Sequence, residues 1–132
     1  MARPDPGSDM KRLADEFARS MRDLDWELDY SEQSVQTLED MIDRQFTDWR
    51  PWRSGKVAKK NFPIASLVGA YLGEVMIRHM DGRWGWMPEF DVAAVQLPSG
   101  NWTSPPAKAQ KRFLNGKEDD LVFYYEALKT RV

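Results

Sequence analysis

Leu13, Phe17, Met21 and Leu24 recur every three or four residues, with Asp15, Arg19 and Arg22 between them. This period predicts a helix from about Asp9 to Leu24, capped by Ser8 or Asp9. Asp25 to Tyr30 breaks the pattern. Val35, Leu38, Ile42, Phe46 and Trp49 form a second stripe. Ser31 is placed to cap it and Glu32 to meet the positive end of its dipole. Arg50-Pro51 ends it, because proline has no amide donor and disfavours helix in the residue before it.

The third helix, opened by Pro63, is apolar almost all round. Ile64, Leu67, Val68, Tyr71, Leu72, Val75 and His79 share one face, and Ala65, Gly69, Gly73, Met76 and Met80 another. Each interior glycine costs about 1 kcal/mol of helix propensity against alanine. Two on one stripe predict that a sheet or another helix packs very close there. Gly82 is expected to supply the left-handed residue that ends the helix.

The period then changes to two. Arg83–Met87 reads as a strand with Trp84 and Trp86 on one face, and Asp91–Leu97 as a second. Pro98-Ser99-Gly100-Asn101 reads as a turn and Trp102-Thr103 as a short third strand. Pro105-Pro106 opens a helix closed by Asn115-Gly116. Asp119 or Asp120 caps the last helix, which carries Leu121, Val122, Tyr125 and Leu128. The expected fold is α+β: two N-terminal helices and a central helix packed on a small antiparallel sheet, with two C-terminal helices. Residues 1–7, with two prolines and a glycine, read as a frayed tail, and residues 8–132 as a single domain.

Composition narrows the function classes. The chain has 132 residues and a formal charge of −2, which exerts no overall pull on nucleic acid or anionic membrane. It has no cysteine and one histidine, so disulfides and thiol chemistry are excluded and a zinc site is disfavoured. No metal ligand, cofactor motif or catalytic residue is assigned. The N-terminus lacks the apolar run of a signal peptide, and Ile64 to Met80 is too short and too often interrupted to span a bilayer. A cytoplasmic location is the expectation.

The charge is unevenly placed. Arg53, Lys56, Lys59 and Lys60 follow an acidic N-terminal region and lie beside Trp49 and Trp52. A solvated loop is the simple reading. The sharper one is a partner-contacting stretch, with protein as the partner, because the charge is too small and local to favour nucleic acid. Glu74 and Arg78 stand four residues apart, which permits an ion pair worth about 0.3–0.5 kcal/mol, or a partly buried pair that binds a polar group. His79 reads as a hydrogen-bonded residue at the core edge rather than a catalytic one, since Ser66, Ser99 and Ser104 lack a nucleophile elbow. Lys108 to Arg112 reads as the wet face of its helix. Trp84 and Trp86 are both inside, or both outside as an interface patch.

The run GAYLGE followed by DGRWGW, then by Lys-x-x-Lys-Arg and Asn-Gly, resembles a bacterial family of unknown function. Members of that family share a Gly-x-Tyr-Leu-Gly-Glu helix and a Gly-x-x-Trp strand start. The matching residues are Gly69, Tyr71, Leu72, Gly73 and Glu74, then Gly82 and Trp84 at a slightly different spacing, then Lys108, Lys111, Arg112, Asn115 and Gly116. The resemblance covers roughly the last half of the chain. It supports the α+β fold and says nothing about activity. The first functional reading is a non-enzymatic bacterial protein-interaction module, immunity- or accessory-protein-like, of no assigned oligomeric state. The alternative is a small enzyme or ligand-binding domain with a pocket around Glu74, Arg78 and His79, beside Trp84 and Trp86.

Overall fold

The computed structural model describes residues 4–45 and 62–131. The chain forms α1 (Gly7–Arg22), α2 (Ser34–Gln45), α3 (Phe62–Met80), β1 (Arg83–Met87), β2 (Val92–Gln96), β3 (Trp102–Thr103), α4 (Pro105–Asn115), a 3-10 turn (Gly116–Asp119) and α5 (Leu121–Lys129). The fold is α+β, with a three-stranded antiparallel sheet in the order β1-β2-β3. The expected continuation of the second helix through Phe46 and Trp49 lies outside the described residues, as does the Arg50-Pro51 stop.

Helix α3 is the centre. From Val68 to Met76 every residue is buried, and α1 and α4 pack along its sides. The glycine stripe is explained by two close approaches. A Cβ at Gly69 would fall on the backbone of Pro106 at the start of α4, and one at Gly73 on the ring of Trp84 in β1. Both glycines therefore trade helix propensity for contact with a neighbouring element. Helix α2 packs on α5 and α3 rather than on the sheet.

Several boundaries follow their predicted chemistry. Pro105 opens α4, and Asp120 caps α5 by accepting from the Phe123 amide at 2.9 Å; Ser104, not singled out as a cap from the sequence, caps α4 by accepting from the Ala107 amide at 3.2 Å. Gly116, at φ 77°, closes α4. Ser31 Oγ accepts from the Ser34 amide at 3.1 Å and holds the entry to α2.

Others differ. Asp81, at φ 55°, takes the left-handed position after α3, not Gly82. Gly82 is required instead because a side chain there would strike Val95. Helix α1 starts at Gly7, without a side-chain cap from Ser8 or Asp9. Asp5 Oδ1 accepts from the Gly7 amide at 2.7 Å. The segment expected as a frayed tail is placed, from residue 4 onward, against β1. Pro6 is buried, and Trp86 Nε1 donates to the Pro4 carbonyl at 2.8 Å. Trp84 and Trp86 do share a face, and both are covered: Trp84 is buried under α3 and Trp86 half-buried under the N-terminal segment. Among the described residues, no helix is long and apolar enough to cross a membrane.

Candidate functional site

The last two turns of α3 carry the polar residues singled out by sequence, and the fold sends them in different directions. Glu74 is 6% exposed. Its Oε2 accepts from Trp84 Nε1 at 2.8 Å, which ties the helix to β1. Arg78 does not form the expected pair with Glu74. Its guanidinium lies 3.7 Å above the centre of the Tyr30 ring, a cation–π contact with the loop before α2. His79 is exposed, and its Nε2 donates to the Tyr30 carbonyl at 2.8 Å. A carbonyl only accepts, so this bond sets the Nε2–H tautomer.

Tyr30 is heavily constrained. It stands at φ 64°, a left-handed conformation that a bulky side chain rarely adopts. Its amide donates to Tyr71 Oη at 2.9 Å, its phenol to Asp15 at 2.5 Å, and its ring stacks on Tyr71 at 4.8 Å. Tyr71 in turn donates to Ser34 Oγ at 2.7 Å. Burial and the Asp15 carboxylate push the Tyr30 phenol's pKa above its ordinary value. His79 is thereby part of a clasp that joins the end of α3 to the α1–α2 connection.

A groove of about 430 Å³ opens between the N-terminal segment, α3 and β1. Its lining includes Lys11, Glu74, Ile77, Arg78, Arg83 and Trp84. Of the five ligand-binding residues suggested by sequence, it brings together Glu74, Arg78 and Trp84. His79 and Trp86 point to Tyr30 and Pro4 instead. Lys11 and Arg83 carry no sequence signal, because only the packing of α1 against β1 brings them to this place.

A second, more apolar groove of about 460 Å³ lies between the β1–β2 turn, α4 and α5. Met87, Phe90, Val92, Ala107, Lys111 and Tyr124 line it. Phe90 stands in the turn and is 67% exposed. At the base, Thr103 and Tyr124 share a hydroxyl bond of 2.5 Å, and burial raises the Tyr124 phenol to about 12. Lys108 also borders this groove and is held by Asp119 at 2.7 Å.

A third polar cluster was missed. Arg112, read from the sequence as part of a wet face, is fully buried. Its Nε and Nη2 donate to both oxygens of buried Glu39 at 2.8–3.0 Å, and Nη2 reaches Asp43 at 2.5 Å. Glu39 Oε1 also accepts the Leu121 amide at 3.1 Å, so this carboxylate anchors the start of α5. Burial alone would lower the Arg112 pKa, but the two carboxylates outweigh it and raise it. A signal was present: Glu39 falls within the Val35, Leu38, Ile42 stripe, and Arg112 lies between Ala109 and Phe113 on an apolar stripe of its own. A charged residue inside an apolar stripe must find a buried partner.

The partner-contacting stretch expected at Trp49, Trp52, Arg53, Lys56, Lys59 and Lys60 lies outside the described residues. Comparison with protein-family models, curated proteins and solved structures finds no match to this chain.

Proposed function

We propose that the protein is a non-enzymatic protein-interaction module, and that the groove under Phe90 is where it takes hold of its partner. One observation carries this reading: a phenylalanine 67% exposed at the mouth of an apolar groove. An aromatic ring held in water beside an apolar cleft gains when a partner covers both, at roughly 25 cal/mol per Å² of apolar surface removed from water. Aromatic anchors in such clefts are the residues that dominate interface energy. The exposed Lys111 on the groove wall selects for a partner segment that pairs an apolar side chain with an acid.

A bacterial immunity- or accessory-protein role in the cytoplasm fits a small chain of 132 residues with six tryptophans and a sequence that carries no catalytic or cofactor motif. The aromatic–basic stretch from Trp49 to Lys60 adds to the contact on sequence grounds.

The test is affinity capture with wild type and a Phe90→Asp variant of matched circular dichroism. A partner recovered by wild type should fall at least about tenfold with the variant, as expected of an interface anchor. Equal recovery would remove the groove from the interface. Turnover of a small molecule that depends on Glu74, with no partner captured, would overturn the reading and promote the enzyme alternative.

A further inference from the structure

We infer that the groove at Glu74 binds a small zwitterion of the α-amino acid class, with the ligand's ammonium on Glu74 and its carboxylate on Lys11 and Arg83. This site is separate from the groove under Phe90 and stands or falls independently of the protein-partner reading.

The carboxylate is the starting point. Glu74 is 6% exposed, and the Trp84 bond to Oε2 is its one hydrogen bond among the described residues. A carboxylate has about four lone-pair sites. The sites that Trp84 leaves open face the groove, and in this largely dehydrated setting they favour a donor that enters it. An ammonium supplies three donors and the opposite charge.

The rim supplies the second half of the match. Lys11 and Arg83 are exposed, border the groove and have no ion-pair partner among the described residues. Arg78 is held over Tyr30 and adds positive potential at the same mouth. Asp5, the other acid of the lining, is exposed and accepts from the Gly7 amide. A purely anionic ligand would satisfy the cations but set its charge against Glu74. A purely cationic ligand would do the reverse. An α-amino acid carries both charges on one carbon and meets both. Ile77 offers its side chain an apolar wall, and a groove of about 430 Å³ is in the size range of small-molecule sites.

The test uses calorimetric titration with glycine, leucine, phenylalanine, lysine and glutamate as probes, followed in parallel by tryptophan fluorescence, because Trp84 is bonded to the proposed ligand residue. At least one amino acid should saturate at millimolar concentration or below. Its deaminated and decarboxylated analogues should bind at least about tenfold more weakly, the loss expected for a missing charge-assisted contact. Glu74→Gln keeps an oxygen for Trp84 to donate to, and should weaken binding by a similar factor. Should that variant fail to fold, the surface double variant Lys11→Ala, Arg83→Ala serves the same purpose and should also bind at least about tenfold more weakly. Absence of saturation by every probe would overturn the inference. So would binding of the deaminated acid as tight as that of the amino acid, or binding unchanged in the variants.

Discussion

Glu39 and Glu74 are two glutamates on helices, almost equally buried at 2% and 6% exposure, yet they sit in opposite electrostatic situations. Glu39 is saturated. Arg112 grips it with two nitrogens, the Leu121 amide takes a further site, and Asp43 accepts from the same Nη2 that bonds Glu39. Glu74 has the single indole N–H of Trp84 and a groove in front of it. A buried carboxylate whose lone pairs are all met by the chain serves to hold elements together. One that is met in part, at the floor of a groove, keeps a capacity that only something from outside can use. The first joins α2, α4 and the start of α5. The second lies at the end of α3, where the last turns reach β1 and Tyr30.

The largest expected effect is at the saturated end. Arg112→Leu leaves Glu39 buried without its partner and should cost about 3–5 kcal/mol in urea unfolding. Adding Glu39→Leu removes the orphaned charge and should restore much of the loss, since apolar replacement of a buried pair is often neutral. If the single variant costs no more than the double, the two residues are not a coupled unit and the comparison with Glu74 loses its basis.

The next effect is a pH dependence. Asp43 loses solvent on folding, which alone would raise its pKa. Its bonds to Lys117 and Arg112 outweigh this and hold it below the usual carboxylate range. Asp119 is held low chiefly by Lys108, and Glu32 chiefly by the Tyr125 hydroxyl. For each, the folded pKa is lower than the unfolded one. The stabilisation is therefore complete above the unfolded value and is lost as pH falls through the folded value, between roughly pH 5 and pH 1. Asp43→Asn should be less stable than wild type at neutral pH, with the two stability curves converging as pH falls through this window. Parallel curves in thermal melts would mean that Asp43 titrates alike in both states.

The smallest effect sharpens the contrast. Glu74→Gln retains an acceptor for Trp84 and should change the unfolding free energy by less than about 1 kcal/mol. A loss of about 3 kcal/mol or more, the size expected when a buried pair is broken, would place Glu74 in the same structural role as Glu39.

Much of the fold was legible because it is local. The helix and strand periods, the proline at the start of α4, Gly116 at its end and the cap of Asp120 are all decided within a few residues of chain. The close contact along Gly69 and Gly73 was legible too, since two glycines in one helical stripe carry a propensity cost that packing must offset. Less was legible at the N-terminus. Prolines and a glycine read as a tail by composition, yet Pro4 finds the indole of Trp86, 82 residues away in sequence.

By itself, then, the sequence determined an α+β chain with a buried, glycine-bearing central helix and a small sheet, because hydrophobic period and turn chemistry act at short range. Tertiary structure decided which partner each charge meets. Glu74 and Arg78 are placed by spacing to pair, but Trp84 and Tyr30, each brought in by another element, compete for them. Lys11 and Arg83 are separated by most of α1, all of α2 and all of α3 before they border one groove. Arg112 and Glu39 are 73 residues apart and meet only because their helices fold together. A charge's partner depends on distance in space and on how far water is excluded, and neither quantity is written at any single position of the chain.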